Sequence, residues 1–170
     1  MIKALTEDLR NKISAGEVVE NPASVVKELI ENSLDANSTE LMITIEKGGH
    51  QTIQVRDNGT GISSVDLPSS IMRFHTSKIE SLNDLFEIGT LGFRGEALAS
   101  IASVSEMKIT SSFKDEEGAS IELSGGSHNG LEPAPKINGT EITVRDLFFN
   151  TPVRKKFLKT PRTELRKIVD

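Results

Sequence analysis

The chain contains no cysteine, which excludes a disulfide framework and any thiolate metal site. Its three histidines, His50, His75 and His128, are too scattered for a zinc-ligand set. No apolar run reaches the ~18–20 residues that span a bilayer. The opening Met1-Ile2-Lys3-Ala4-Leu5-Thr6-Glu7-Asp8 has no apolar signal core. The expectation is a soluble, intracellular protein, cytoplasmic in a prokaryote and nuclear in a eukaryote, with no membrane partner. No Gly-Lys-Ser/Thr occurs, so there is no Walker A loop. No GxGxxG opens a helix after a strand, which leaves a dinucleotide fold unsupported. No internal repeat or low-complexity tract is visible.

What is present begins with 170 residues, enough for one domain with its own core. The formal charge of −5 is unevenly distributed. Residues 1–150 hold 23 acids against 13 bases, while residues 151–170 hold 2 acids against 7 bases. The basic tail comprises Arg154, Lys155, Lys156, Lys159, Arg162, Arg166 and Lys167. Such a cluster either binds phosphate backbones or forms a solvated helix face.

Residues 8–16 predict a short helix ended by Gly16. Asn21-Pro22 starts a second helix, with Asn as N-cap and Pro in the first turn. It runs to about Ala36, and its apolar arc is Val25, Val26, Leu29, Ile30 and Leu34, with Ser33 inside it. Residues 41–46 and 52–57 alternate like the strands of a hairpin turned at Gly48-Gly49. Val65 to Phe74 reads as helix, with Pro68 in its first turn. Residues 75–95 form a long polar segment with one helical turn near Leu82–Phe86, and loops of this length are usually functional or mobile. A helix opens at Gly95 and runs to about Val104. Strands follow at about 106–113, 118–124 and 140–147, with turns at 115–118 and 125–130. Pro152 and Thr160-Pro161 each start a short helix. The last helix reaches the final residue, as expected of a larger protein cut here. These elements predict an α+β two-layer sandwich, its mixed and mostly antiparallel sheet covered by helices on one face.

Three constellations carry chemistry. On the second helix, Glu28, Asn32 and Asp35 share an arc opposite the apolar stripe. Glu28 and Asn32 are one turn apart and can address one small volume. A carboxylate there can take a proton from water, and an amide oxygen suits Mg²⁺. The alternative is a plain exposed polar face. Asp57 ends a strand whose Ile53 and Val55 face the core, so it needs a partner. That partner is either the Asn58-Gly59 turn or the exocyclic amine of a base such as adenine, approached closely over Gly59 and Gly61. Third, Gly89 to Glu96 runs from loop into helix, where backbone N–H groups can hold an anion beside Arg94. Thr76, Ser77 and Lys78 offer hydroxyls and an ammonium to the same end. Thr140, at a strand start, can bridge to a base through water.

Taken together, Ile13-Ser14-Ala15-Gly16-Glu17-Val18-Val19, Glu28 through Ala36, Asp57-Asn58-Gly59-Thr60-Gly61, Thr76-Ser77-Lys78 and Gly92-Phe93-Arg94-Gly95-Glu96-Ala97-Leu98-Ala99-Ser100-Ile101 closely resemble the N-terminal ATPase region of MutL-type DNA mismatch repair proteins. So does Asp146 through Leu158. These proteins belong to the GHKL superfamily, alongside gyrase-type topoisomerases and histidine kinases. The GFRGEALASI string separates MutL-like proteins from the other branches, and no histidine here sits on a convincing phosphoacceptor helix.

The resemblance implies a GHKL-type ATP-binding domain over residues 21–150 and an N-terminal arm over 1–20 that crosses to a partner when ATP binds. It also implies a basic tail over 151–170, leading into a second subdomain. Glu28 would be the general base, and Asn32 would hold Mg²⁺ between the phosphates. Asp57 would bind the adenine amine, with Gly61 beside it and Thr140 assisting through water. Thr76, Ser77, Lys78, Gly92, Phe93, Arg94, Gly95, Glu96, Ala97 and Leu98 would wrap the phosphates as an ATP lid. Implied cofactors are ATP and Mg²⁺. Implied partners are DNA, through Arg154, Lys155, Lys156 and Lys159, a mismatch-recognition protein, and a second copy or paralogue that dimerises on ATP binding. The family lysine that reaches the γ-phosphate lies in the following subdomain. These 170 residues alone are therefore expected to turn over slowly, and the alternative is a nucleotide- or DNA-binding module without turnover.

Overall fold

The computed structural model describes residues 4, 6–72 and 96–170. Among the described residues, six strands form one sheet in the order β1-β2-β6-β3-β4-β5. They are β1 (Leu41–Glu46), β2 (Thr52–Asp57), β3 (Glu106–Ser112), β4 (Gly118–Ser124), β5 (Ser127–Ala134) and β6 (Gly139–Arg145). Among the described residues every pairing is antiparallel, in keeping with the expected α+β sandwich on a mostly antiparallel sheet. The alternation of side chains sorts the two faces. Ile53, Val55, Met107, Ile109, Ile121, Leu123, Ile142 and Val144 are buried on one face. The other carries Lys108 against Glu122 at 2.8 Å, Ser124 on Glu106, and Gln54 on Thr143. Lys108's hydrogen bond and charge hold the exposed Glu122 carboxyl below its usual value.

Helices cover the apolar face. α2 (Pro22–Asp35) begins in a reciprocal cap: the Ser24 N–H donates to Asn21 Oδ1 at 3.0 Å and the Asn21 N–H to Ser24 Oγ at 3.1 Å. This satisfies amides that would otherwise lack partners. Val25, Val26 and Leu29 enter the core, and the helix packs on β2. It stops at Ala36, with Asn37 at φ +58. α1 (Glu7–Val18) packs on α4 (Ala97–Ser103). It runs through Gly16 rather than ending there, because the chain turns only at Val19, an extended C-cap. α3 (Leu67–Ser70) is a single turn, shorter than the predicted helix.

α5 (Pro152–Phe157) and α6 (Pro161–Val169) follow the sheet. α6 packs on α2 and on the 3₁₀ turn Lys47–Gly49. A Cβ on Gly48 would overlap the Pro161 carbonyl. Glu164 is 1% exposed and accepts from the Lys159 N–H at 2.8 Å and Lys167 Nζ at 3.2 Å. The tail is thus anchored by a buried carboxylate as well as solvated by its cations. β5 departs from the sequence reading: residues 127–130 read as turn, whereas the turn is only Gly125-Gly126, at φ +56 and +90. The reading of 75–95 lies outside the described residues.

Candidate nucleotide site

The register places a polar row at one end of the apolar face. Val55 faces Ile142, which faces Ile109, which faces Ile121. One pleat further along the same face come Asp57, Thr140, Ser111 and Ala119. Three of these four are polar, and all are buried. Asp57 is 7% exposed, and donors from three segments hold it. Ser33 Oγ on α2 donates to Oδ2 at 2.9 Å. The Gly59 N–H donates to Oδ1 at 2.8 Å, and the Thr140 N–H to Oδ1 at 3.3 Å. The turn reading and the ligand reading of Asp57 are therefore compatible. A carboxylate has about four acceptor positions, and these three bonds leave one on Oδ2.

The loop after β2 is clamped to the end of α2. The Thr60 N–H donates to the Ala36 carbonyl at 2.9 Å. Asn58 Oδ1 accepts from the Thr39 and Glu40 amides at 2.8 and 3.0 Å. Gly61 sits at φ +73, where a Cβ would run into the Ser112 carbonyl. Gly139 sits at φ +85, and its Cβ would lie 2.7 Å from Asp57 Oδ1. These two glycines let three backbones close around one carboxylate. Behind them, Ser111 Oγ accepts from the Ile62 N–H at 2.8 Å and lies 2.8 Å from Thr140 Oγ1.

Glu28 and Asn32 lie on α2 one turn apart, and both are half-buried. They border the buried arc rather than facing away from it. At 100° per residue Asn32 lies only 20° from Val25, on the shoulder of the helix. Ser33, one residue on, reaches Asp57, so a single helix carries Glu28 and Asn32 and supports the Asp57 carboxylate. An amide oxygen next to a carboxylate is a donor set that fits Mg²⁺ when phosphate oxygens and water supply its other ligands. Among the described residues, no group of three or more His, Cys, Asp or Glu could hold a metal by itself.

Glu96 precedes α4, and Ala97 and Leu98 form its first turn, all half-buried beside β3 and β4. Thr76, Ser77, Lys78, Gly92, Phe93, Arg94 and Gly95 lie outside the described residues. In the tail, Lys155, Lys156 and Lys159 are exposed. Lys155 joins Lys47 and Arg145, together with Glu46 and Asp146, on a groove of about 840 Å³, floored by Thr44, Gln54 and Thr143 on the other face of the sheet. Arg154 differs from the three lysines: Nη2 donates to the Val19 carbonyl at 2.6 Å, and the guanidinium stacks 4.7 Å from the centroid of Phe148.

Sequence reasoning did not assign roles to Ser33 and Ser111. Each was detectable as a hydroxyl in an apolar phase, Ser33 within the α2 arc and Ser111 two residues after Ile109 on β3.

Residues 20–132 match the family described as histidine kinase-, DNA gyrase B-, and HSP90-like ATPase. The chain is 53% identical over 169 residues to the DNA mismatch repair protein MutL of Lactobacillus helveticus, covering 99% of this chain and 27% of that one. It is 55% identical over 168 residues to that of Halothermothrix orenii, covering 98% and 26%. The chain thus spans about a quarter of the length of the curated relatives it matches. Its fold matches the Aquifex aeolicus MutL ATPase domain complexed with ADP at a TM-score of 0.72 and 42% identity, covering 89% of this chain and 53% of that one. The N-terminal domain of a DNA repair protein matches at 0.77 with 29% identity, covering 94% and 46%. The chain belongs to the histidine kinase-, DNA gyrase B- and HSP90-like ATPase family, as a MutL-type member of it.

Proposed function

We propose that this chain binds Mg-ATP with its adenine against Asp57 and hydrolyses it slowly as the switch domain of a DNA mismatch repair protein. The observation that carries this reading is the Asp57 carboxylate. It is buried at a strand end and oriented by Ser33, Gly59 and Thr140, with one acceptor position left for an exocyclic amine. Thr140 Oγ1 lies on the same row, where a water can link it to the base. From there a nucleotide running along α2 brings its phosphates toward Asn32 and Glu28.

In this reading Asn32 would supply one oxygen ligand to Mg²⁺. The bound Mg²⁺ neutralises phosphate charge. Glu28 accepts the proton of the attacking water, and its half-buried position shields it from bulk solvent. Thr76, Ser77, Lys78 and the run Gly92 through Leu98 complete the phosphate contacts as a lid. The arm is residues 1–20, the ATP-binding domain residues 21–150, and the tail residues 151–170. ATP binding makes the surface on which a second copy or paralogue docks, a switch with differential contacts in its two states. Lys155, Lys156 and Lys159 contact DNA phosphates, with Lys47 and Arg145 along the adjoining groove. A mismatch-recognition protein is a further partner, and the setting is soluble and intracellular. Turnover is slow because the lysine for the γ-phosphate belongs to the following subdomain.

Glu28→Ala tests the catalytic assignment. The variant is expected to bind a non-hydrolysable Mg-ATP analogue as the parent does and to release no phosphate above background. Hydrolysis by Glu28→Ala at the parent rate removes the base from the scheme. Binding by the parent without any phosphate release supports the binding-module alternative instead.

A further inference from the structure

By sequence Arg154 belongs with the cations of the tail, but its geometry assigns it elsewhere. It is half-buried on α5, behind the corner where α1 meets α2. Nη2 donates to the Val19 carbonyl at 2.6 Å and approaches the Gly16 carbonyl at 3.4 Å. These are among the last carbonyls of α1, which have no partner inside the helix. The guanidinium lies over the ring of Phe148, a residue 1% exposed in the core. Burial lowers the Arg154 pKa, and the nearby Glu20 carboxylate opposes that effect.

What this contact holds is the entry to α2. Val19 is fully buried. After it, the Glu20 and Asn21 amides both donate to Ser24 Oγ, at 3.0 and 3.1 Å, and Pro22 opens the helix. From Arg154 a continuous path of short contacts therefore runs through the Val19 carbonyl and the cap into the first turn of α2. The other end of that helix is fixed separately, by Ser33 on Asp57 and by the Thr60 amide on the Ala36 carbonyl. Glu28 lies between the two anchors.

Resting on the reading of Glu28 as the base, we infer that Arg154 is a positioning residue, which pins the first turn of α2 and so aims Glu28 at the phosphates. The adenine end of the site does not depend on it. Arginine suits this place because Nη2 alone reaches both carbonyls while the flat guanidinium stacks on the Phe148 ring, a stacking that a lysine ammonium cannot reproduce. Misplacing a catalytic group by about 1 Å lowers rates by as much as ~100-fold.

The test compares Arg154→Lys with the parent in the full 170-residue chain, with Arg154→Gln as a second variant. Single-turnover hydrolysis of labelled ATP, with protein in excess, is expected to fall by roughly 10- to 100-fold. The dissociation constant for a non-hydrolysable Mg-ATP analogue should stay within about three-fold. Amide hydrogen exchange at Glu20, Asn21 and Ser24 should accelerate, while exchange at Gly59 and Thr140 stays as in the parent. Equal losses of rate and affinity would mean general loosening and overturn the assignment, as would unchanged exchange at the α2 cap. A shallower salt dependence of DNA affinity in Arg154→Gln, which removes the charge, would make Arg154 a phosphate contact and overturn it too. Glu28→Ala runs beside it: parent-rate hydrolysis there condemns the base assignment, whereas a normal rate in Arg154→Lys with an inactive Glu28→Ala condemns only this one.

Discussion

Asp57 takes hydrogen bonds from a helix, a turn and a neighbouring strand, so its orientation is set before any ligand arrives. Replacing it with Ala should abolish measurable ATP binding by calorimetry. Ser33→Ala is subtler. It removes the donor to Oδ2 and leaves the carboxylate free to rotate about the Gly59 and Thr140 amides. A hydrogen bond to a charged group contributes ~1.5–3 kcal/mol, so ATP affinity should fall by about ten-fold or more, and unchanged affinity would show that Asp57 needs no such support. Gly61 is constrained by space and by backbone together: φ is +73 and the Ser112 carbonyl occupies the Cβ position. Gly61→Ala should lose roughly 1–3 kcal/mol of stability, read as a melting temperature several degrees lower.

At the scale of elements, α2 performs two tasks with one amphipathic surface. Leu29 and Val25 bury in the sheet while the shoulder carries Glu28 and Asn32. Leu29 is 1% exposed, and Leu29→Ala should cost about 2–5 kcal/mol in denaturant unfolding. Asn21→Ala breaks the reciprocal cap and should cost about 1 kcal/mol. This helix was legible in the sequence because its cap, its proline and its apolar period all agree. The strands that alternate were legible for the same reason. β5 was not, because an exposed edge strand has no face to hide, and its residues, Pro133 among them, show no alternation. The shoulder position of Asn32 was within reach of a helical wheel, which sets it 20° from Val25, but grouping it with Glu28 and Asp35 as one polar arc hid this. Ser33 stood out as a polar residue in an apolar arc, yet its partner is 24 residues away, and only the fold brings the two together. The roles of Arg154 and Lys155 could not be separated by composition, since one cation faces carbonyls and a ring and its neighbour faces solvent.

In the whole molecule the sheet separates two surfaces. The polar row around Asp57 lies on the helix-covered face, while the groove with Lys47, Arg145 and Lys155 lies on the other. On the proposed reading, nucleotide and DNA would therefore be held at once without competing for the same side chains. Neutralising Lys155, Lys156 and Lys159 together should leave ATP binding as in the parent and flatten the salt dependence of duplex DNA affinity. The slope should drop by about 0.9 for each phosphate that a lysine no longer neutralises, and an unchanged slope would remove the tail from the DNA surface. Among the described residues no helix is long and apolar enough to cross a membrane.

The central claim is that Asp57, Asn32 and Glu28 surround one nucleotide. It is tested most directly by titrating the folded chain with a non-hydrolysable ATP analogue and Mg²⁺ in a calorimeter, beside Asp57→Ala and beside GTP. The account predicts saturable one-to-one binding to the parent, no heat with Asp57→Ala, and much weaker binding of GTP, whose ring presents a carbonyl where adenine presents its amine. Equal heats from the parent and Asp57→Ala, or none from the parent, would contradict it.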